Sequence, residues 1–155
     1  MSSQVLRTQG ITEAAWLRFL RAHAAVTREL SARLENAHGL TLSDFDVLVQ
    51  LLHAEGNRLR RVDLARTVLL TASGITRLLD GLERAGWVEK QHCASDARVT
   101  YAALTQAGIE KIASARSSHH ADIEELFGSR FSEDEKATLD ELLARLPLAD
   151  TACQK

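Results

Sequence analysis

The sequence predicts a mainly α-helical fold with a small β-hairpin, and three observations support this prediction. The 155 residues include one proline and eight glycines, so few positions interrupt a helix. Apolar residues recur at helical spacing along most of the chain. Between residues 87 and 104, two short strand-like runs flank a polar loop that is too long for a tight turn. We expect a single domain, residues 1–155, with its own core.

The segment Thr71–Leu104 predicts a helix followed by this hairpin. Thr71 is a suitable N-cap for the helix, and Gly86 is a suitable stop. At about 100° per residue, the helix separates into two faces. The apolar face consists of Ile75, Leu78, Leu79, Leu82 and Ala85. The polar face includes Ser73, Arg77, Asp80 and Arg84. The hairpin is expected to pair Trp87–His92 with Val99–Leu104 and to hold Arg98 at its tip.

A short helix is predicted before this segment, over about Val62–Val68, with Leu64 facing the core. Arg58–Arg60 is a candidate strand that pairs with the hairpin. A short helix, a longer helix with a polar outer face and a hairpin with arginine at its tip form the outline of a winged helix-turn-helix. The sequence therefore predicts a lobe that binds DNA.

Two further helices are predicted before this lobe. A long first helix spans about Glu13–Ala37 and ends at Gly39. Ser43 is expected to cap the second helix, which runs to His53. Its first turn contains two acidic residues, which the helix dipole favours there, namely Asp44 and Asp46.

Two helices are also predicted after the lobe. Thr105 is expected to cap a long helix that ends near Phe127. Its inward positions are Ile109, Ile112, Ala113, Arg116, His119, His120, Ile123 and Phe127. Ser132–Glu135 forms a capping box for the last helix, which Pro147 closes. The terminal apolar stripes are too long for the lobe to cover, so we expect them to pair with a second copy of the chain.

The distribution of charge is compatible with a surface that binds phosphates. The formal net charge is −2, but residues 58–98 hold 8 Lys and Arg against 5 Asp and Glu. The first ten residues lack the apolar core of a signal peptide, and no apolar run reaches membrane-spanning length, so a cytoplasmic protein is expected. Cys93 and Cys153 are too few for a disulfide framework.

Three motifs in order resemble the multiple-antibiotic-resistance regulator (MarR) family, and the resemblance extends from about Trp16 to Leu146. Residues 73–88 (SGITRLLDGLERAGWV) look like the family's recognition helix and its exit. Asp96-Ala97-Arg98 matches its Asp-x-Arg wing signature, although the family often has arginine at the position of Ala97. Residues 104–108 (LTQAG) match Leu-Thr-x-x-Gly.

This resemblance implies a fold and a function. Dimerisation helices would occupy residues 11–38 and 105–147, around a winged helix-turn-helix lobe at residues 43–104. The protein would be a homodimer that binds a palindromic operator and usually represses a nearby gene. A small phenolic or aromatic carboxylate would weaken its binding to DNA.

The polar residues of the lobe are assigned to different parts of the DNA. Residues expected in the major groove are Ser73, Thr76 and Arg77, of which the arginine can contact guanine through two hydrogen bonds. Arg98 would reach a narrow minor groove. Residues expected at phosphates are Arg84, Arg66 and Arg60. Asp80 is expected to orient Arg77 or Arg84.

In the family the effector site lies between the first, second and fifth helices. The candidate ligand-binding residues here are Trp16, Phe19, His23, Phe45 and Val49. An imidazole among apolar groups can hold a carboxylate or phenol. The alternative is that Trp16 and Phe19 belong to a dimer core and that His23 is a hydrogen-bonded interior histidine.

Three other functions remain open at this point. A metal sensor could use residues crowded on one helix, namely His119, His120, Asp122 and Glu124, but neighbouring helical residues cannot easily bind one ion together. A redox sensor could use Cys93. A helical scaffold would leave the hairpin arginine without a role. No phosphate loop or nucleophile motif is present, so neither an enzyme nor a cofactor is expected.

Overall fold

The described part of the chain forms six α-helices and one three-stranded sheet. The computed structural model describes the backbone of residues 2–67, 72–92 and 99–146 and the side chains of residues 10–66, 74–92 and 99–146. The helices are α1 (Ser2–His38), α2 (Leu42–His53), α3 (Arg61–Thr67), α4 (Ala72–Arg84), α5 (Gln106–Leu126) and α6 (Glu133–Leu143). The strands are β1 (Arg58–Arg60), β2 (Val88–His92) and β3 (Thr100–Leu104). The predicted mainly helical fold is confirmed.

The sheet is antiparallel, in the order β1-β3-β2. Leu59 of β1 pairs with Ala102 of β3, so the predicted third strand is present. On the other side of β3, Val88 pairs with Leu104, and both side chains are buried. The hairpin is therefore anchored to the core at its base, while its connecting residues 93–98 lie outside the described part of the chain.

The core lies where the apolar faces of all elements of the lobe meet the C-terminal half of α1 and the start of α5. Its fully buried large side chains are Leu34, Leu40, Val47, Leu48, Leu51, Leu64, Leu79, Leu82 and Ile112. None of the helices in the described ranges has both the length and the apolar composition that crossing a membrane requires.

The beginnings of the first two helices differ from the predictions. α1 starts at Ser2 rather than Glu13, because no proline interrupts the preceding residues and a single glycine costs a helix only about 1 kcal/mol. The predicted N-cap Ser43 is wrong. Thr41 caps α2, since its hydroxyl accepts the backbone N–H of Asp44 and the Asp44 carboxylate accepts the backbone N–H of Thr41. Asp46 consequently lies beyond the first turn, where burial raises the pKa of its carboxyl group.

The later helices follow the predicted caps but not every predicted inward position. Thr105 caps α5 and Ser132 caps α6 through a capping box, as expected. Predicted inward residues that are exposed are Ala85, Ala113, Arg116, His120, Ile123 and Phe127. Ala85 lies in the turn after α4, and α5 buries only the narrow stripe that contacts the core, consisting of Gly108, Ile112, Ala115 and His119. Val68 and Pro147 lie outside the described residues.

A charged cluster joins α1 to α5. The Arg33 guanidinium donates to Asp122 at 2.8 Å and to both oxygens of Glu125 at 2.9 and 3.0 Å. Hydrogen bonds from Arg33 lower the pKa of Glu125. One turn further along α1, His38 Nε2 lies 2.6 Å from the hydroxyl oxygen of Ser118. These contacts fix the packing of the two long helices along one side.

The end of α4 and the start of α5 meet at a tight joint. The Thr105 backbone N–H donates to the Trp87 carbonyl at 3.1 Å, and the Thr105 hydroxyl donates to the Gly86 carbonyl at 2.6 Å. Gly86 has a φ of 76°, which favours glycine. Gly108 passes directly over Trp87, and a Cβ atom at this position would overlap the Trp87 carbonyl group. Only glycine fits at this contact.

The Gly108→Ala variant should lose about 1–3 kcal/mol of unfolding free energy, because the added methyl group forces the joint apart. Urea denaturation measures this loss. Gly81→Ala is the matched control, since no atom lies within 4 Å of its Cβ position and alanine favours the helix by about 1 kcal/mol. Equal effects of the two substitutions would contradict the assigned role of Gly108.

Candidate nucleic-acid interface

α4 is amphipathic, and its two faces are separated as the sequence predicts. Its buried side chains are Ile75, Leu79 and Leu82. The opposite face exposes Thr76, Arg77, Asp80 and Arg84, while the side chain of Ser73 lies outside the described set. Because the apolar face is fixed in the core, the polar face is held outward. This helix can therefore present its polar side chains to a duplex as a rigid unit.

The two arginines on the polar face of α4 differ in their contacts with the rest of the described chain. Arg77 forms no ion pair with any residue that the structure describes, so its guanidinium is available to a ligand. Arg84 donates from Nε to the backbone carbonyl of Asp80 at 3.1 Å, which directs its side chain back along the helix. The carboxylate of Asp80 does not pair with either of them, and the prediction that it orients Arg77 or Arg84 is wrong.

Asp80 pairs instead with Arg61, the first residue of α3. Arg61 Nη2 lies 3.7 Å from Asp80 Oδ1, and Arg61 Nη1 lies 4.0 Å from Glu83 Oε1. Arg61 is not among the residues predicted from the sequence. The acidic pair at i and i+3 on α4 indicates that a cation lies nearby, but it does not indicate which element supplies that cation.

The other candidate phosphate-binding residues are arranged around the start and end of α3. Arg60 Nε lies 2.6 Å from Asp63 Oδ2, although half of the Arg60 side chain remains exposed. Arg66 is exposed in the last turn of α3 and has no ion pair within the described ranges. Arg66 is therefore accessible to a phosphate, whereas Arg60 already has an anionic partner.

The sheet beside α4 supports the base of the wing. The Arg58 guanidinium lies 5.0 Å from the centre of the Tyr101 ring, and Nη1 donates to Gln91 Oε1 at 3.3 Å. These contacts tie β1 to β2 and β3 on the outer face of the sheet. Arg98 and Cys93, the candidates at the wing tip, lie outside the described residues.

The structure does not bring the five candidate ligand-binding residues together. Trp16, Phe19 and His23 lie along the exposed part of α1, with successive ring centres 6.1 and 6.3 Å apart. Phe45 lies instead on α2, where its ring centre is 4.5 Å from that of His119. Val49 packs against the core.

Two of these residues line an apolar cleft of about 600 Å³ between α1, the end of α5 and α6. Its aromatic and basic lining residues are Arg18, Phe19, His23, Phe127 and Phe131. The rings of Phe127 and Phe131 are 5.2 Å apart, and Arg18 supplies a positive charge. The cleft therefore has aromatic walls and an almost entirely apolar lining, with the side chain of Arg18 at its edge, and it lies away from Phe45 and Val49.

The acidic and histidine residues of α5 do not converge on one point. His119 is buried, and burial lowers the pKa of its imidazole, while the negative charge of Asp122 partly opposes this shift. His119 Nδ1 has no hydrogen-bond partner in the described part of the chain. His120 is exposed on another face. Among the described residues, no three His, Cys, Asp or Glu side chains are close enough to hold a metal ion.

Comparisons with known proteins identify the family. The model of the MarR family matches residues 38–99. The HTH-type transcriptional regulator MhqR of Bacillus subtilis is 30% identical over 128 residues, which are 83% of this chain and 86% of MhqR. AbsC, a MarR family transcriptional regulator from Streptomyces coelicolor, has 30% identity and a TM-score of 0.79, with 84% of this chain and 88% of AbsC covered.

A structure with bound DNA is also similar. A cysteine-to-serine mutant of MarR from E. coli, complexed with operator DNA, has 25% identity and a TM-score of 0.76, with 90% of this chain and 96% of the mutant covered. These relatives are transcriptional regulators rather than enzymes. The winged helix-turn-helix with its outward polar helix and these similarities together show that the chain belongs to the MarR family of DNA-binding transcriptional regulators.

Proposed function

We propose that the protein is a homodimeric repressor that binds a palindromic operator and is released by a small aromatic or phenolic acid. The observation that carries this proposal is the polar face of α4, on which Arg77 is exposed without an ion pair in the described chain. A helix that is fixed by its apolar face and carries an exposed arginine can enter a major groove without rearrangement.

The proposed contacts with DNA fall into two groups, those that read bases and those that position the protein on the phosphates. We assign base contacts to Thr76 and Arg77, because both are exposed on α4, and to Ser73 on the basis of the sequence pattern alone. We assign phosphate contacts to Arg66 and Arg84. Arg60 can add a weaker phosphate contact, since Asp63 already neutralises part of its charge. Arg98 is assigned to the minor groove on the basis of the family resemblance.

The dimer is proposed from apolar surface that one chain leaves uncovered. Exposed large apolar residues on the long helices α1 and α5 include Ile11, Trp16, Leu17, Leu20 and Ile123. A patch of this kind marks an interface, and a two-fold dimer uses the same patch on both copies. Pairing of the terminal helices would place two α4 helices on one face of the assembly, as a palindromic operator requires.

The effector is proposed to occupy the cleft lined by Phe19, His23, Phe127 and Phe131. Its aromatic walls suit a planar ring, and Arg18 or His23 can pair with a carboxylate or phenolate. The cleft is formed by helices of the proposed dimer interface. An effector bound there would change the distance between the two α4 helices, which weakens simultaneous binding to both half-sites.

The Arg77→Ala variant should lose about 1–3 kcal/mol of binding free energy for the operator and should discriminate less between operator and random duplexes, because a base contact is removed. Footprinting on the DNA beside the gene identifies the operator, and fluorescence anisotropy then measures both affinities. Arg66→Ala is the control, for which both affinities should fall alike. Equal losses on both duplexes for Arg77→Ala would refute base reading by Arg77.

Two charges introduced into the exposed stripe of α1, as Leu17→Glu with Leu20→Glu, should convert the dimer into a monomer. Both residues are more than 40% exposed in the single chain, so the substitutions disturb an interface rather than the core. Sedimentation velocity measures the mass. A wild-type monomer at micromolar concentration, or a double variant that remains dimeric, would disprove the proposed interface.

An aromatic acid such as salicylate should weaken operator binding of the wild-type protein by about tenfold, within the usual range of coupling between two sites. Phe131→Ala removes one wall of the cleft and should abolish this response while operator binding without salicylate persists. Leu142→Ala is a matched truncation on α6 that does not line the cleft, and its response should remain. If Phe131→Ala responds like the wild type, the effector binds elsewhere.

A further inference from the structure

We infer that Arg61 is a positioning residue for DNA recognition, which holds the carboxylate of Asp80 away from the phosphates and fixes α4 against α3. This inference rests on the proposed role of α4 as the helix that reads DNA. Arg61 would act through Asp80 and Glu83, not by touching DNA.

The geometry places one cation between two anions. Arg61 is the first residue of α3, and its guanidinium faces Asp80 and Glu83, which are one turn apart on α4, at 3.7 and 4.0 Å. Only 22% of the Arg61 side chain is exposed, compared with 51% for the neighbouring Arg60. The side chain of Arg61 is therefore directed into the α3–α4 contact, whereas that of Arg60 remains accessible.

Asp80 requires such a partner because of where it lies. More than half of its side chain is exposed, on the same face as Arg77 and Arg84. A carboxylate on this face repels phosphates when the helix enters the groove. The positive charge of Arg61 reduces this repulsion without occupying the surface that contacts DNA.

The contact depends on charge rather than on directional hydrogen bonds. Both distances exceed the approximately 2.7–2.9 Å of a charge-assisted hydrogen bond. Arg61 Nη2 and Glu83 Oε1 are buried, and neither has a hydrogen-bond partner within the described residues. A lysine at position 61 should therefore replace most of the effect, whereas a neutral side chain should not.

A double-mutant cycle with Arg61→Gln and Asp80→Asn tests the inference. Arg61→Gln should weaken operator binding by about tenfold in the wild-type background and reduce discrimination against random DNA. When Asp80→Asn is present, Arg61→Gln should weaken operator binding by only about threefold, because only the contact with Glu83 is then lost. Arg61→Lys should retain most of the wild-type affinity. Arg116→Ala, which removes an exposed arginine from α5, is the control for the loss of one charge.

Three results would overturn the inference. Arg61→Gln could cause equal losses in both backgrounds and lower the slope of log binding constant against log salt concentration by about one. That result would mean that Arg61 itself binds a phosphate. A loss of operator affinity that follows a lower melting temperature and leaves operator discrimination intact would mean a purely structural role. Equal losses of operator affinity for Arg61→Lys and Arg61→Gln would mean the same. A wild-type protein with no operator preference would instead refute the proposed function, and this inference with it.

Discussion

The contact between Gly108 and the carbonyl group of Trp87 joins the two halves of the molecule. On one side of this contact α4 ends, and on the other side α5 begins. Thr105 strengthens the joint through its backbone N–H and its hydroxyl, which donate to two successive carbonyls at 3.1 and 2.6 Å. Because no side chain separates the two segments here, a displacement of α5 would be transmitted directly to the end of the helix proposed to read DNA.

A cluster of ion pairs between α1 and α5 restricts how α5 can move relative to α1. Arg33 of α1 binds Asp122 and Glu125 of α5, on the part of α5 that is far in sequence from the joint. The long helices are thus fixed to one another by charge, while the apolar cleft opens between their remaining faces and α6. An effector in the cleft, as proposed, would act on α1 and α5 together, and the joint at Gly108 would then carry the displacement to α4. The proposed effector response needs no other route.

Local signals in the sequence predict the elements and several of their ends. Helical periodicity, the capping box at Ser132 and the glycine after α4 depend on neighbouring residues only, and the structure contains each of them. The choice between Ser43 and Thr41 as the N-cap of α2 could not be made from residue type, since both are good caps and only the reciprocal bond with Asp44 distinguishes them.

The pairing of Arg61 with Asp80 depends on how α3 and α4 pack, which no local pattern encodes. For the same reason the sequence grouped Phe45 with Phe19, although they lie on different surfaces.

Most arginines in the described part of the lobe contact other groups of the same chain. These contacts limit the positive charge that the lobe offers to DNA. The sequence gives residues 58–98 an excess of three positive charges. In the described part of the lobe, however, Arg58 packs on Tyr101, Arg60 and Arg61 face carboxylates, and Arg84 bonds to its own helix. Arg66 and Arg77 are the arginines of this part that remain without such contacts. Because carboxylates neutralise part of the positive charge of the lobe, we expect discrimination to depend also on how accurately α4 is held. The joint at Gly108 and the Arg61 contact are therefore expected to contribute to recognition alongside the side chains proposed to touch DNA.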